Sequence, residues 1–297
     1  MPPPPFSRFR RALVVFNPVA GTQRQRLQVV LNGLASLECG HELLRTSQRG
    51  DAEQAGRTAY AKGFDLIIAA GGDGTINEIV NGLSAAETKV PLAFLPLGTA
   101  NVLAAEIGLK ATPPAVLAMI AQGRRRTIRL GLAGGRHFVL MASAGLDAAV
   151  VRGVDLGLKR RTGQLAYAIE ALRQAFSYPF PELIATIDGT PHAGRMVVAC
   201  RARCYGGGFQ VALGADLTDE WLQVVILKKG GRAALLRYGA ALVTGRLQTL
   251  PDVAVVPARS LTLDGPLGAP LQADGDLAGA LPIHIAVSDR TIELVVP

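Results

Sequence analysis

Apolar positions along the first 130 residues follow two periods. Unbroken runs such as ALVVF from Ala12, FDLIIAA from Phe64 and PLAFLPL from Pro91 have the length and composition of strands buried on both faces. HELLR from His41 reads as a further strand. Between them, Leu27, Val30, Leu31 and Leu34 recur at helical spacing, as do Ile76, Ile79, Val80 and Leu83. Asp51 stands where it could cap a helix running to about Ala61, and Thr99 precedes another through Ile107. Strands alternating with helices predict a mainly parallel sheet with right-handed crossovers, which takes ligands at the carboxyl ends of its strands.

Beyond Arg129 the pattern changes. RLGLAGGRHFVLMAS predicts a hairpin about Gly134 and Gly135, and a helix over 162–177 carries Leu165, Ile169, Leu172 and Phe176 on one side. From Leu183 onward LIATID, RMVVACRA, WLQVVIL, VAVV, LTL, IHIAV and TIELVV predict short strands separated by Gly, Pro and Asp turns. The expectation is a flexible tail over 1–10, an α/β domain over 11–129 and an antiparallel β-rich domain over 130–297.

Composition narrows the class. A chain of 297 residues, 49% apolar, with 34 glycines and 18 prolines, has room for two turn-rich domains. No apolar stretch reaches the roughly 18–20 residues that span a bilayer. The opening MPPPPFSRFRR lacks the apolar segment of a signal peptide; its Phe6 and Phe9 among arginines read as solvated tail or as a membrane aid. Cys39, Cys200 and Cys204 are an odd number without metal-ligand spacing and favour a reducing cytosol. The four histidines are scattered, with no HExxH pair. A net charge of +8 suits nucleic acid, an anionic membrane or a phosphorylated ligand, with Arg124, Arg125, Arg126 and Lys159, Arg160, Arg161 as the densest clusters. Few aromatic platforms accompany that charge, so nucleic acid ranks last.

The chemistry concentrates where predicted strands end. Gly71-Gly72-Asp73-Gly74-Thr75-Ile76-Asn77 follows the third strand and opens a helix, so its backbone amides could cradle an anion with help from the helix dipole. It is neither GxxxxGK[ST] nor GxGxxG, which leaves a phosphate turn of another type or a plain tight turn. Asp73 beside a phosphate asks for an intervening cation such as Mg²⁺; the alternative is an Asx-turn or a helix cap. Glu78 reads as an acid favoured by the helix dipole. Asn17-Pro18-Val19-Ala20-Gly21 after the first strand and Gly98-Thr99-Ala100-Asn101 after the fourth add two loops at the same edge.

NPVAG, GGDGTINEIVNGL and PLGTANVLA, in that order, resemble the catalytic domain of the diacylglycerol kinase family, in its bacterial soluble lipid kinase branch. That branch is similar to sphingosine and ceramide kinases and, more distantly, to NAD kinases. The resemblance spans almost the whole chain. It implies a Rossmann-like α/β domain, a C-terminal antiparallel β-sandwich and a nucleotide cleft between them. It implies ATP as phosphoryl donor, Mg²⁺, and contacts to the nucleotide from Asn17, Pro18, Val19, Ala20, Gly21, Thr46, residues 71–77 and Thr99. Leu271-Gln272-Ala273-Asp274-Gly275-Asp276 resembles the family's Asp-Gly-Glu segment, with Asp276 one methylene shorter than glutamate, so Asp274 or Asp276 is the implied proton acceptor. Residues 215–222 resemble a segment that holds a structural Mg²⁺ in some members, here through the Asp219 carboxylate and mainly the backbone carbonyls of Asp216 and Trp221; apart from the resemblance it is an acidic turn before a strand. Trp221 otherwise reads as packing within the core or between domains. Val102 stands where the family often has an acid. The implied partner is a lipid alcohol presented at an anionic membrane surface to a cytoplasmic, peripherally associated enzyme, a homodimer being compatible. Alternatives of other classes are an NAD kinase-like enzyme and a non-catalytic nucleotide sensor.

Overall fold

The computed structural model describes residues 9–18, 24–87, 89–153, 173–174 and 177–297. Phe6, Val19, Ala20, Gly21, the Lys159, Arg160, Arg161 cluster and most of the predicted 162–177 helix lie outside the described residues. The chain forms two compact units, one running to Ile128 and taking in Arg290–Pro297, the other comprising Arg129–Asp289.

In the first unit β1 (Arg11–Phe16), β2 (Gly40–Arg45), β3 (Leu66–Gly71) and β4 (Leu92–Pro96) pair in parallel in the order β2-β1-β3-β4. Every residue of β3 and β4 is buried, as expected of central strands covered on both faces, while β2 at the edge is largely exposed. The helices are α1 (Arg24–Ser36), α2 (Asp51–Thr58), α3 (Asp73–Ala85), α4 (Val102–Glu106) and α5 (Pro113–Gln122). Helix α1 turns Leu27, Val30, Leu31 and Leu34 inward, the stripe its spacing dictates. Helices α2 and α3 meet backbone to backbone: a Cβ on Gly82 would stand 2.0 Å from the Glu53 carbonyl oxygen. Phe9, expected in a loose tail, is 1% exposed with the Arg125 guanidinium 5.2 Å from its ring.

Helix α2 departs from its sequence reading. It ends at Thr58, and its N-cap is Gly50 at φ 93°. The Asp51 carboxylate instead accepts the Ser47 amide at 2.7 Å, the Ser47 hydroxyl at 2.8 Å and the Gln48 amide at 3.1 Å. These backbone and hydroxyl donors hold its carboxyl below the usual carboxylate range. Glu78, read as a dipole partner of its own helix, accepts the Gly50 amide at 3.1 Å and so fixes that left-handed cap.

In the second unit the elements are β5 (Arg125–Ala133, shared with the first unit), β6 (Arg136–Phe138), β7 (Met141–Ala144), α6 (Leu146–Gly153), β8 (Leu183–Ile187), β9 (Thr190–Gly194), β10 (Met196–Cys200), β11 (Cys204–Tyr205), β12 (Phe209–Gln210), β13 (Leu222–Leu227), α7 (Arg232–Val243), β14 (Val253–Ala258), β15 (Ser260–Asp264), β16 (Pro270–Ala273), β17 (Asp276–Ala280) and β18 (Ile283–Val295). One antiparallel sheet runs β14-β13-β10-β7-β16-β17; the other has β18-β15-β8-β9. Val197, Ala199, Val224, Ile226 and Leu271 of the first interleave with Leu183, Ala185, Leu261, Leu263 and Ile285 of the second, giving the core of a β-sandwich. IHIAV and TIELVV are one continuous strand, β18, whose Leu294 pairs in parallel with Leu92 of β4. The last eight residues therefore belong to the first unit, where the sequence pattern had placed everything after 130 in one β-rich domain. Among the described residues no helix is long and apolar enough to cross a membrane.

Candidate active site

The strand order places β2 on one side of β1 and β3 on the other, so the sheet's switch point lies between β1 and β3, where open α/β sheets bind ligands. The loops leaving those strands are tied together. The Asn17 amide donates to the Ala70 carbonyl at 3.0 Å, and its side-chain amide reaches the Thr75 hydroxyl at 3.4 Å. The amides of Leu97 and Gly98 both donate to the Gly71 carbonyl, at 2.8 and 3.0 Å. Thr46, at the end of β2, donates its amide to Phe16 at 2.9 Å. Asn17, residues 71–77 and residues 98–101 thus share the edge where the sequence placed those three loops, and Thr46 ends β2 at the same edge.

Why glycines stand here differs from the sequence argument. Neither Gly71, Gly72 nor Gly74 has a positive φ. A Cβ on Gly98 would lie 2.6 Å from the Gly72 Cα, and one on Gly71 would lie 2.4 Å from the Thr75 hydroxyl oxygen. Close approach of two loops, rather than a left-handed backbone, demands the missing side chains. Gly74 is exposed at the tip of the turn, and Thr99 is exposed on the neighbouring loop. Ile76 and Asn77, each 2% exposed, point into the unit, so any ligand contact from them runs through backbone.

Asp73 caps a helix, though not its own. Its two carboxylate oxygens accept the Val102 amide at 3.0 Å and the Leu103 amide at 3.1 Å, the first donors of α4. Val102 thereby serves through its backbone amide. Burial pushes the Asp73 carboxyl up, and the two amides pull against it. Two amides use two of the four lone-pair directions of a carboxylate, so acceptor capacity remains. Next to Val102 in the chain, Asn101 donates its side-chain amide to the Gly98 carbonyl at 2.7 Å, while its buried Oδ1 has no partner. An acidic carboxylate and an orphaned acceptor fit a divalent cation or a donor-bearing ligand.

In the second unit, the turn between β16 and β17 separates the two candidate acids. Asp274, at φ 49°, accepts the amides of Val139, Leu140 and Met141 at 2.7, 2.8 and 3.1 Å. Its carboxylate is a brace for the β6–β7 segment. Asp276 opens β17 and is partly exposed. Behind the turn, the Gly275 amide donates to the Gln272 side-chain oxygen at 2.8 Å, and Gln272 in turn donates to Ser143 and Asp147. Asp147, in the first turn of α6, accepts further hydrogen bonds from Ser143 and Tyr205. Burial pushes the Asp147 carboxyl up and the Tyr205 phenol well above its ordinary value. Sequence reasoning passed over Ser143 and Asp147, which sit singly within an apolar stretch.

The turn over 215–222 carries a cation of its own. Arg201, fully buried, donates Nη1 to the Trp221 carbonyl at 2.6 Å, Nη2 to those of Leu217 at 2.9 Å and Asp219 at 2.6 Å, and Nε to that of Arg129 at 3.3 Å. Asp216 bonds within the turn: Oδ1 takes the Thr218 amide and hydroxyl at 2.8 and 2.7 Å, and its carbonyl takes the Asp219 amide at 3.1 Å. Among the described residues no group of three His, Cys, Asp or Glu could hold a metal. Of the donors implied for a structural Mg²⁺, the Trp221 carbonyl already accepts from the guanidinium and the Asp216 carbonyl from the Asp219 amide. Desolvation pulls Arg201 down to about 10, with the Asp219 charge opposing, so it stays protonated at neutral pH. The Trp221 ring, expected in packing, is 45% exposed and lies 5.0 Å below the Arg259 guanidinium. An arginine inside VVACRARC was the sequence signal for this arrangement.

Comparison with known proteins fits this layout. Residues 11–133 match the diacylglycerol kinase catalytic domain, and residues 140–296 match the YegS C-terminal NAD kinase beta sandwich-like domain. The chain is 29% identical over 293 residues to a diacylglycerol kinase of Bacillus subtilis, 97% of each chain being covered. It is 25% identical to one of Staphylococcus aureus, covering 97% of this chain and 93% of that one. The crystal structure of a diacylglycerol kinase from Bacillus anthracis superposes with a TM-score of 0.80 at 23% identity, covering 98% of both chains. With the catalytic-domain match followed by the YegS-type sandwich, the chain belongs to the diacylglycerol kinase catalytic-domain family, in its bacterial lipid kinase branch.

Proposed function

We propose that this protein transfers the γ-phosphoryl group of ATP to the hydroxyl of a lipid alcohol of diacylglycerol or sphingoid type. The observation that carries the reading is the meeting of three βα loops around Asp73 at the β1/β3 switch point, in a chain of this family. Asn17, Pro18, Thr46, Thr99 and residues 71–77 would hold the nucleotide phosphates, and Asp73 with its spare lone pairs would hold Mg²⁺. The ion, when bound, supplies positive charge that offsets the phosphate oxygens. The Asp276 carboxylate takes the proton of the acceptor hydroxyl as the new oxygen–phosphorus bond forms and the bond to the ADP oxygen breaks. Asp274 is committed to three amides and leaves the proton to Asp276. A net charge of +8 favours work at an anionic membrane from the cytoplasmic side.

The test is incubation of the purified protein with labelled ATP, Mg²⁺ and a total lipid extract, beside a second arm with NAD and no lipid. Label should move into an organic-soluble phosphorylated lipid. Label in NAD alone, or in neither arm, overturns the proposal.

A further inference from the structure

Helix α7 is apolar nearly all round, yet only one side of it is covered. Tyr238 and Ala241 are buried. That side is pinned: the Tyr238 hydroxyl donates to Asp252 at 2.6 Å and accepts the Lys229 amide at 3.1 Å, and Arg237 pairs with Asp252. The opposite side carries Ala233, Leu236, Ala240 and Val243 at helical spacing, all exposed, with Leu236 at 77% and Val243 at 67%. Phe209 of β12, the strand beside α7, is 46% exposed as well. A helix that is hydrophobic all round belongs in an interior, and an outward apolar stripe on a fixed helix marks a surface that something else covers.

The charge around this stripe points to what covers it. From residue 221 to residue 251 there is no Asp or Glu, while Lys228, Lys229, Arg232, Arg237 and Arg246 lie in that span. An exposed apolar stripe on a segment with five cations and no acid of its own, the Asp252 that follows being already paired with Arg237, is the composition of a helix lying in the headgroup boundary of an anionic bilayer. A second copy of this chain would bring the same five cations against themselves. We propose that α7 is the element by which the protein rests on an anionic lipid surface, with Leu236 and Val243 entering the acyl boundary and Lys228, Lys229 and Arg246 meeting the headgroups.

This inference rests on the lipid kinase reading for its biological sense, but its test uses neither nucleotide nor turnover. The full chain is sedimented with vesicles of phosphatidylcholine alone and of phosphatidylcholine mixed with phosphatidylglycerol. The parent should sediment with the mixed vesicles, less at high salt, and little with the neutral ones. Leu236→Glu with Val243→Glu should lower the bound fraction about tenfold or more while the melting temperature holds. Lys228→Glu with Lys229→Glu, both exposed, should weaken binding without touching the helix, which keeps the test decisive should the first pair disturb folding. Unchanged vesicle binding by both double variants overturns the proposal. So does a parent that runs as a dimer in gel filtration and becomes a monomer in Leu236→Glu, for then a second copy covers the face. A protein that binds vesicles yet labels no lipid would leave this inference standing and remove the kinase reading alone.

Discussion

Asp274 and Asp276 show how two identical side chains two residues apart take different work. The first is surrounded by backbone amides, three of them within 3.1 Å; the second opens a strand at a partly exposed position. Asp276→Asn should therefore cut turnover by about 10²-fold or more with little change in urea unfolding. Asp274→Asn turns an amide group toward those donors and should cost about 2–4 kcal/mol of stability, lowering activity only through folding. Equal loss of turnover with equal stability in both variants would contradict this division. Arg201 makes the third case. Arg201→Met leaves buried carbonyls without a donor and should cost about 3 kcal/mol or more in chemical unfolding. Mg²⁺ without nucleotide should leave the parent's melt where EDTA puts it. A Mg²⁺-dependent rise in the parent that Asp219→Ala abolishes would return the ion to the 215–222 turn.

The elements that build the nucleotide edge are held by contacts between loops as much as by the strands. Asp73 connects the start of α3 to the start of α4, and the Gly72–Gly98 contact sets the distance between their loops. Gly98→Ala puts a methyl group 2.6 Å from a backbone carbon that no rotamer change can move. The loops must part, and we expect a loss of about 1–3 kcal/mol in stability together with turnover lower by about 10²-fold, since displacement by a fraction of an ångström misplaces the reacting groups. Circular dichroism melts and kinase assays on the same preparation check both, and a variant matching the parent in each would show that the contact is dispensable. The strands and α1 were legible from the period of their apolar residues, because the sheet and one helix stripe are buried as that period requires. Helices α5, α6 and α7 were not. Helix α6 begins after a chain reversal at Gly145, φ 118°, and α7 is apolar on both sides, so neither shows the one-sided pattern that identifies a surface helix.

Across the whole molecule, buried acids set a pH signature. Burial raises the Asp147 carboxyl above its ordinary 3.8, so the folded protein keeps that proton to higher pH than the unfolded chain does. The cost of ionising it is absent below the unfolded value and grows as pH rises toward the folded one. Asp147→Asn removes this slope, and its stability relative to the parent should climb as pH rises above the ordinary carboxylate value, in urea melts taken from acid to neutral pH. A flat difference would mean that the four donors around Asp147 offset its burial. The sequence by itself determined the α/β half followed by the β-rich half, the loops at the strand ends and the family, because alternating periods and short glycine motifs are local properties of the chain. Only the tertiary structure decided that Asp73 caps a distant helix, that Asp274 is a brace, that Arg201 supplies the cation of the 215–222 turn and that the last strand returns to the first unit. Each of these depends on partners 16 or more residues away, and no local period records which distant backbone group a buried polar side chain must satisfy.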